Sequence, residues 1–264
     1  MTGPTVAEQI RVRCTQLQLP TVAVQAEPCF EAAGHAEALG TFLEVLDREI
    51  DNRHQRRVER LRRAAKLPLG KTASTFDPLR LPAKLRQQLA DLARGEFVEH
   101  ATNVLAFGLP GTGKSHAMAA LGHALVIAGR SVLFVPAYRL VQELLAAKRD
   151  LALPRALRRL DAFEVVILDD LGYVQQDGAE ADVLFTLMAE RYERRSLVVT
   201  SNLVFSQWDQ IFRHPMATAA AIDRIVHHSV ILEFDVSSYR TDEAKKRQAS
   251  PPKGGGEEKT QRKK

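Results

Sequence analysis

From Asn103 onward, apolar residues come in short runs, separated by longer stretches in which they recur every three or four positions. The runs cover 103–107, 131–136, 163–168, 197–200 and 230–234, and the amphipathic stretches lie at about 114–128, 138–148, 179–192 and 215–226. Runs this short that are apolar on both sides are strands buried on both faces, and strands alternating with helices pair in parallel. Residues 1 to about 70 read differently, as helix, with Pro20 and Pro28 separating a short first segment from a longer one. Thr41 with Glu44 makes a capping box behind Gly40, and Phe42, Leu43, Leu46 and Ile50 follow at helical spacing. The spacing predicts a helix from Thr41 to about Ala65, ended by Leu67-Pro68-Leu69-Gly70. A linker over 71–81 and a helix over about 82–95 join the two regions, and no internal repeat is visible. The expected organisation is a helical part over 1–70, an α/β part over 71–242 and a tail over 243–264.

A chain of 264 residues can bury a sizeable core without disulfides or metals. Cys14 and Cys29 are too far apart for a C-x-x-C pair and read as buried free thiols. No window approaches the ~18 to 20 apolar residues of a membrane span, and the start lacks a signal pattern, so a cytoplasmic protein without a membrane partner is expected. The net charge of +5 comes wholly from the tail, where eight Lys or Arg face three Glu, and Pro251, Pro252 and the glycines at 254–256 predict disorder there. The neutral remainder conceals a local excess on the predicted helix, with Arg53, Arg56, Arg57, Arg60, Arg62, Arg63 and Lys66 against the single Glu59. Arg53, Arg56, Arg57, Arg60, Arg63 and Lys66 are the candidates for contact with DNA phosphates; the alternative is a solvated face that touches only protein. Lys148, Arg149, Arg155, Arg158 and Arg159 make a second, less concentrated candidate.

The feature richest in chemistry is Gly108-Leu109-Pro110-Gly111-Thr112-Gly113-Lys114-Ser115, a complete G-x-x-x-x-G-K-S loop between a strand and a helix. Glycines let the backbone wrap a polyphosphate with its N–H groups inward, Lys114 reaches the β and γ phosphates, and the Ser115 hydroxyl offers a ligand to Mg2+. Such a loop needs a second metal-holding carboxylate at a strand end, and Asp169, after Val165-Val166-Ile167-Leu168, supplies it. Asp170 is either the group that orients or deprotonates the attacking water or a solvated loop carboxylate. Asn202, after Thr200-Ser201, is either a contact to water and γ-phosphate or a turn residue. Arg224 and Arg240 are candidates to neutralise charge on the transferring phosphoryl group, with surface ion pairs the alternative for each. The pair His227-His228 has no further ligand near it in sequence and reads as packing, not metal.

Together these residues resemble the AAA+ ATPases and, within them, the IstB-type transposition helpers and the related DnaC-type helicase loaders. The resemblance is carried by Arg62-Arg63-Ala64-Ala65, Lys71-Thr72, Phe76-Asp77, the loop through His116, Leu121-Gly122 and Leu168-Asp169-Asp170-Leu171-Gly172-Tyr173. It continues through Thr200-Ser201-Asn202, the run from Asp223 through His227-His228 to Ser229, and Ser238-Tyr239-Arg240. It implies an α/β P-loop NTPase of the ASCE type, a parallel sheet flanked by helices with a small all-α N-terminal domain. It also implies that Asn202 is sensor 1, Arg224 an arginine finger offered to a neighbouring copy and Arg240 sensor 2, in an ATP-dependent homo-oligomer. The implied function is an ATPase that assembles on double-stranded DNA, recruits a cognate transposase and is reset by hydrolysis. The alternatives are a loader of a replicative helicase and, more remotely, a small-molecule kinase.

Overall fold

Five parallel strands carry the described α/β core: β1 (Asn103–Phe107), β2 (Val132–Pro136), β3 (Val165–Asp169), β4 (Ser196–Ser201) and β5 (Ser229–Glu233). They hydrogen-bond in the order β2-β3-β4-β1-β5. The computed structural model describes residues 3–173, 178–203, 207–208, 222–239 and 241, so Arg240, the tail from 243 and most of the predicted helix over 215–226 lie outside the described residues. Strand bounds agree with the apolar runs to within two residues. Although β2 lies between the strands of the two phosphate-site motifs in sequence, it takes the sheet edge, and β4 separates them in space.

Both faces of the sheet are covered, which is why its strands are apolar on both sides. Leu105, Phe107, Val166, Leu168, Leu197 and Val199 pack under α7 (Ala137–Arg149), α8 (Leu153–Asp161) and α9 (Gly178–Arg191). Val104, Ala106, Val165, Ile167 and Val198 alternate with them and meet α6 (Lys114–Ile127), α4 (Ala83–Ala93) and the chain around Ala65 and Leu67. A one-turn helix, α5 (Glu96–Glu99), leads from α4 into β1. Neither α5 nor α8 is predicted by the apolar pattern, because four and nine residues give too little periodicity to distinguish.

The N-terminal region is helical: α1 (Val6–Gln16), α2 (Pro20–Ala32) and α3 (Leu39–Ala65). Pro20 sits at the first turn of α2, where its missing N–H costs nothing, but Pro28 lies inside that helix and does not interrupt it. The expected capping box at Thr41 does not form: a 3-10 turn over Ala36–Ala38 runs directly into α3, which begins at Leu39 with no side-chain cap and takes Thr41 into its first turn. Cys14 is buried in the small core of Ile10, Leu17, Ala26 and Leu46, whereas Cys29 is exposed, contrary to the expectation of two buried thiols. The 27 residues of α3 span about 40 Å. Its first half closes this small core, and its second half inserts Val58, Leu61 and Ala65 into the core on one face of the sheet.

The amino edge of the sheet is fixed by buried polar groups. Arg191, 2% exposed, donates to the carbonyls of Leu160 (3.0 Å), Phe163 (3.0 Å), Glu164 (3.2 Å) and Ser196 (3.0 Å), and so ties α8, β3 and β4 to α9. Burial pulls its pKa down to about 10, which leaves it charged at neutral pH. Glu164 accepts from the Ser131 N–H (2.8 Å) and pairs with Arg130 (3.2 Å). Burial raises the Glu164 pKa, but those donors outweigh it and hold the carboxyl below its ordinary value.

Replacing Arg191 with Leu leaves four carbonyls without their donor and is expected to lower unfolding free energy by about 3 kcal/mol in urea titrations. Arg194→Ala removes the exposed pairs to Asp161 and Glu190 and an exposed hydrogen bond to the Glu190 carbonyl, and should cost less than about 1 kcal/mol. Equal losses would contradict the assigned role of Arg191.

Candidate nucleotide site

The phosphate loop leaves β1 at Gly108, whose φ of +149° and lack of a side chain are both required: a Cβ there would lie 2.5 Å from the Phe234 carbonyl oxygen. Helix α6 begins at Lys114, so the N–H groups of its first turn open towards the loop 108–113. Thr112 Oγ1 donates to the Leu109 carbonyl (2.8 Å) and braces the loop. The Lys114 ammonium, 4% exposed, donates to the carbonyls of Gly108 (2.7 Å) and Leu109 (2.9 Å). A buried ammonium beside converging N–H groups makes a site for a polyanion.

The second half of the site comes from the neighbouring strand ends. Leu168 pairs with Val199 in the β3–β4 ladder, and the next residues, Asp169 and Thr200, meet. Thr200 Oγ1 donates to Asp169 Oδ1 (2.8 Å) and accepts from the Asp170 N–H (2.8 Å), so one buried hydroxyl fixes both carboxylate residues. Asp170 has φ +59°, a left-handed conformation that costs about 1–2 kcal/mol for a residue with a side chain; the bond from its N–H opposes that strain. The Asn202 amide oxygen is buried without a hydrogen-bond partner among the described residues. It lies against Gly172, where any Cβ would collide with it.

Between these walls lies a cleft of about 390 Å³, lined by the loop from Pro110 to His116, Asp170, Asn202, linker residues between Gly70 and Leu81, and Val236, Ser237 and Tyr239. The linker is held on the start of α6: His116 Nε2 lies 3.0 Å from Thr75 Oγ1 and 3.1 Å from the Thr72 carbonyl oxygen, with the Phe76 ring 5.2 Å from the imidazole. Opposite, the Arg80 guanidinium lies 5.0 Å over the Tyr239 ring and donates to Ser237 Oγ (3.2 Å). The Tyr239 N–H donates to the Gly111 carbonyl (2.9 Å), which joins this wall to the phosphate loop.

Gly111, Thr112, Gly113, Lys114, Ser115, Asp170 and Asn202 thus meet around one cleft. Asp169 lies just behind it, 8% exposed and held by Thr200. Arg224 stays outside: it lies in the segment that leads into β5 at the amino edge of the sheet, with its guanidinium 4.8 Å over the Phe185 ring of α9. The basic stripe on α3 is exposed but not uniform. Arg53 is turned back onto Glu49 (2.7 Å) and the Leu17 carbonyl (2.9 Å), and Arg57 lies near Gly129 at the end of α6. Arg56, Arg60 and Arg63 line a shallow groove with Gln55 and Glu59. Hydrogen bonds from Arg62 and Arg63 hold the Glu59 carboxyl below its ordinary pKa. Lys66 takes the left-handed position at the C-cap of α3. Thr200 went unassigned in the sequence because its role depends on a neighbouring strand. Phe76, His116 and Tyr239 carried a family signal but no chemistry of their own.

The sheet order and this site define a P-loop protein of the AAA+ fold. The sequence profile described as "IstB-like ATP binding protein" matches residues 12–249, and the chain belongs to that family. It is 40% identical over 250 residues to an insertion sequence ATP-binding protein of Sinorhizobium fredii, covering 92% of this chain and 84% of that one. It is 37% identical over 240 residues to the ATP-binding protein of insertion sequence IS21 from Pseudomonas aeruginosa, covering 90% and 91%. Among solved structures, DnaI superposes with a TM-score of 0.52 at 22% identity over 64% of this chain and 95% of that one. AMPPCP-bound DnaA from Aquifex aeolicus gives 0.53 at 15% identity over 69% and 56%; these two likenesses concern the fold. No described helix is long and apolar enough to cross a membrane.

Thr200→Val removes the donor to Asp169 and the acceptor for the Asp170 N–H, and is expected to lower ATP turnover about tenfold or more, with Thr200→Ser restoring it. Steady-state phosphate release, with thermal melts to verify folding, measures this. Unchanged turnover in the Val variant would show that the hydroxyl does not position the pair.

Proposed function

We propose that this chain is the ATP-switched DNA-binding subunit of an insertion-sequence transposition system, with residues 1–70 meeting DNA and partner, 71–242 forming the ATPase and the tail over 243–264 adding non-specific attraction. ATP in the cleft drives copies of the chain to assemble on duplex DNA, the assembly recruits the cognate transposase, and hydrolysis resets it. The names of the insertion-sequence relatives support the setting. The observation that carries the switch is that the basic helix α3 leads, within a few residues, into the linker that forms one wall of the cleft.

A volume of about 390 Å³ falls within the range of small-molecule pockets, ~300–1,000 Å³, and the donors present suit a nucleoside triphosphate. Lys114 exchanges the carbonyls of Gly108 and Leu109 for phosphate oxygens. The Ser115 hydroxyl and Asp169 carboxylate are hard oxygen donors that fit Mg2+, which when bound neutralises charge on the phosphates. Thr200 keeps the Asp169 carboxylate oriented. Asp170 accepts a proton from, or orients, the attacking water, and Asn202, which also lines the cleft, contacts the same water. In its own chain Arg224 sits at the far end of the strands from the cleft, so it acts on a neighbouring copy, which makes assembly a condition of turnover. On α3, Arg56, Arg60 and Arg63 present a cationic groove to the phosphate backbone, a contact that positions without reading sequence.

Lys114→Ala should abolish nucleotide binding and, with it, ATP-dependent binding to duplex DNA. Asp170→Asn should keep ATP and hold the assembled state. Filter binding of labelled ATP and electron microscopy with DNA test both, and full assembly by the Lys114 variant would refute the linkage. Changing Arg56, Arg60 and Arg63 together to Ala should leave ATP binding intact and reduce the slope of log affinity against log salt by about 3. An unchanged slope would remove this face of α3 from the DNA interface.

A further inference from the structure

At the amino edge of the sheet, the end of the strands remote from the nucleotide cleft, three side chains with metal-binding atoms converge. Glu193 sits in the turn between α9 and β4 with φ +54°, and His227 and His228 sit in the turn before β5. One candidate ligand atom from each lies within 4.8 Å of the other two. His228 Nε2 is 3.4 Å from Glu193 Oε1, and the two imidazoles stand edge to face with centroids 4.4 Å apart. Sequence gives no hint of the third member, since β4 and β5 must both pair with β1 to bring the two turns together.

The turns are held in place by a buried residue of the strand between them. Asn103, 6% exposed at the start of β1, accepts from the Leu197 N–H (2.9 Å) through Oδ1 and donates to the Ile225 carbonyl (3.2 Å) through Nδ2. Its backbone N–H donates to the His228 carbonyl (2.7 Å). The backbones that bear the ligands are therefore fixed, while the three side chains are exposed and can rotate.

We infer that Glu193, His227 and His228 form a binding site for a first-row divalent ion, Zn2+ in the first place, with water completing a tetrahedron. Two imidazole nitrogens and a carboxylate suit Zn2+ and exclude a preference for Mg2+. Bonds of about 2.0–2.2 Å require the three atoms to draw closer than 4.8 Å, a movement that side-chain rotation supplies. The bound ion links the α9–β4 turn to the segment that carries Arg224, whose guanidinium already rests on Phe185 of α9. The site thus staples the arginine-bearing segment to the body of the protein.

The test uses the full chain without a histidine tag, titrated with Co2+ by visible absorption and with Zn2+ by competition against a chromophoric chelator. One ion per chain is expected, with affinity at least about tenfold weaker in Glu193→Gln and in the double variant His227→Asn, His228→Asn. Zn2+ should raise the melting temperature of the wild type and not of the double variant. As a readout that needs no variant, NMR of the histidine ring nitrogens should show Zn2+ shifts at His227 and His228. No binding by the wild type, binding unchanged by these substitutions, or ring shifts confined to other histidines would each overturn the site. Asp169→Asn should leave Zn2+ binding intact, which separates this site from the nucleotide cleft.

Discussion

The ladder β3-β4-β1 is the constraint on which the rest of the molecule depends. A parallel sheet covered by helices on both faces has only the ends of its strands to offer to water, so polar chemistry gathers there. With β4 between the other two, Phe107 lies beside Ser201 and Leu168 beside Val199. The residues that follow Phe107, Leu168 and Ser201, namely Gly108, Asp169 with Asp170, and Asn202, then share one edge although the three segments are far apart in sequence. Thr200 is the pin of this arrangement: its buried hydroxyl reaches one carboxylate and one strained backbone at once.

The two edges of the sheet use their polar groups differently. At the carboxyl edge the groups converge on a cleft, and Asn202 keeps a buried oxygen without a hydrogen-bond partner among the described residues. At the amino edge the Arg191 guanidinium serves four carbonyls and the Asn103 side chain joins β4 to the segment before β5, while Arg191 Nε and Ser196 Oγ keep no hydrogen-bond partner among the described residues. Anchoring of the sheet at its amino edge helps to hold the strained Asp170 backbone and the Asn202 amide at the other, because a fixed sheet resists relaxation.

Helix α3 joins the two cores of the chain and carries its local charge. Its cations are less available than their number implies, since Arg53 is turned inward and Arg62 and Arg63 share Glu59. Arg56, Arg57 and Arg60 keep no ion pair among the described residues, and two of them lie in the same groove. A few residues beyond the helix, the linker grips His116, next to Ser115 in the phosphate loop. The charged face and the nucleotide loop are therefore separated by a short, ordered segment of chain.

Local chemistry was legible where it is contained in a few consecutive residues. The apolar runs announced all five described strands, and the glycine-rich loop and Asp170 of the aspartate pair line one cleft. Helix starts and short helices were read less well: a 3-10 turn displaced the expected cap at Thr41, and α8 is too brief to show a period. The sequence by itself determined the class of fold and the glycine-rich loop between β1 and α6, because strand alternation and glycine conformations are properties of neighbouring residues. Only the tertiary structure decided that Thr200 bonds to both aspartates, that Arg224 rests on Phe185 outside the cleft, and that Glu193 meets His227 and His228. Those relations are made by hydrogen-bond pairing between distant strands, and no spacing along the chain encodes which strand becomes whose neighbour.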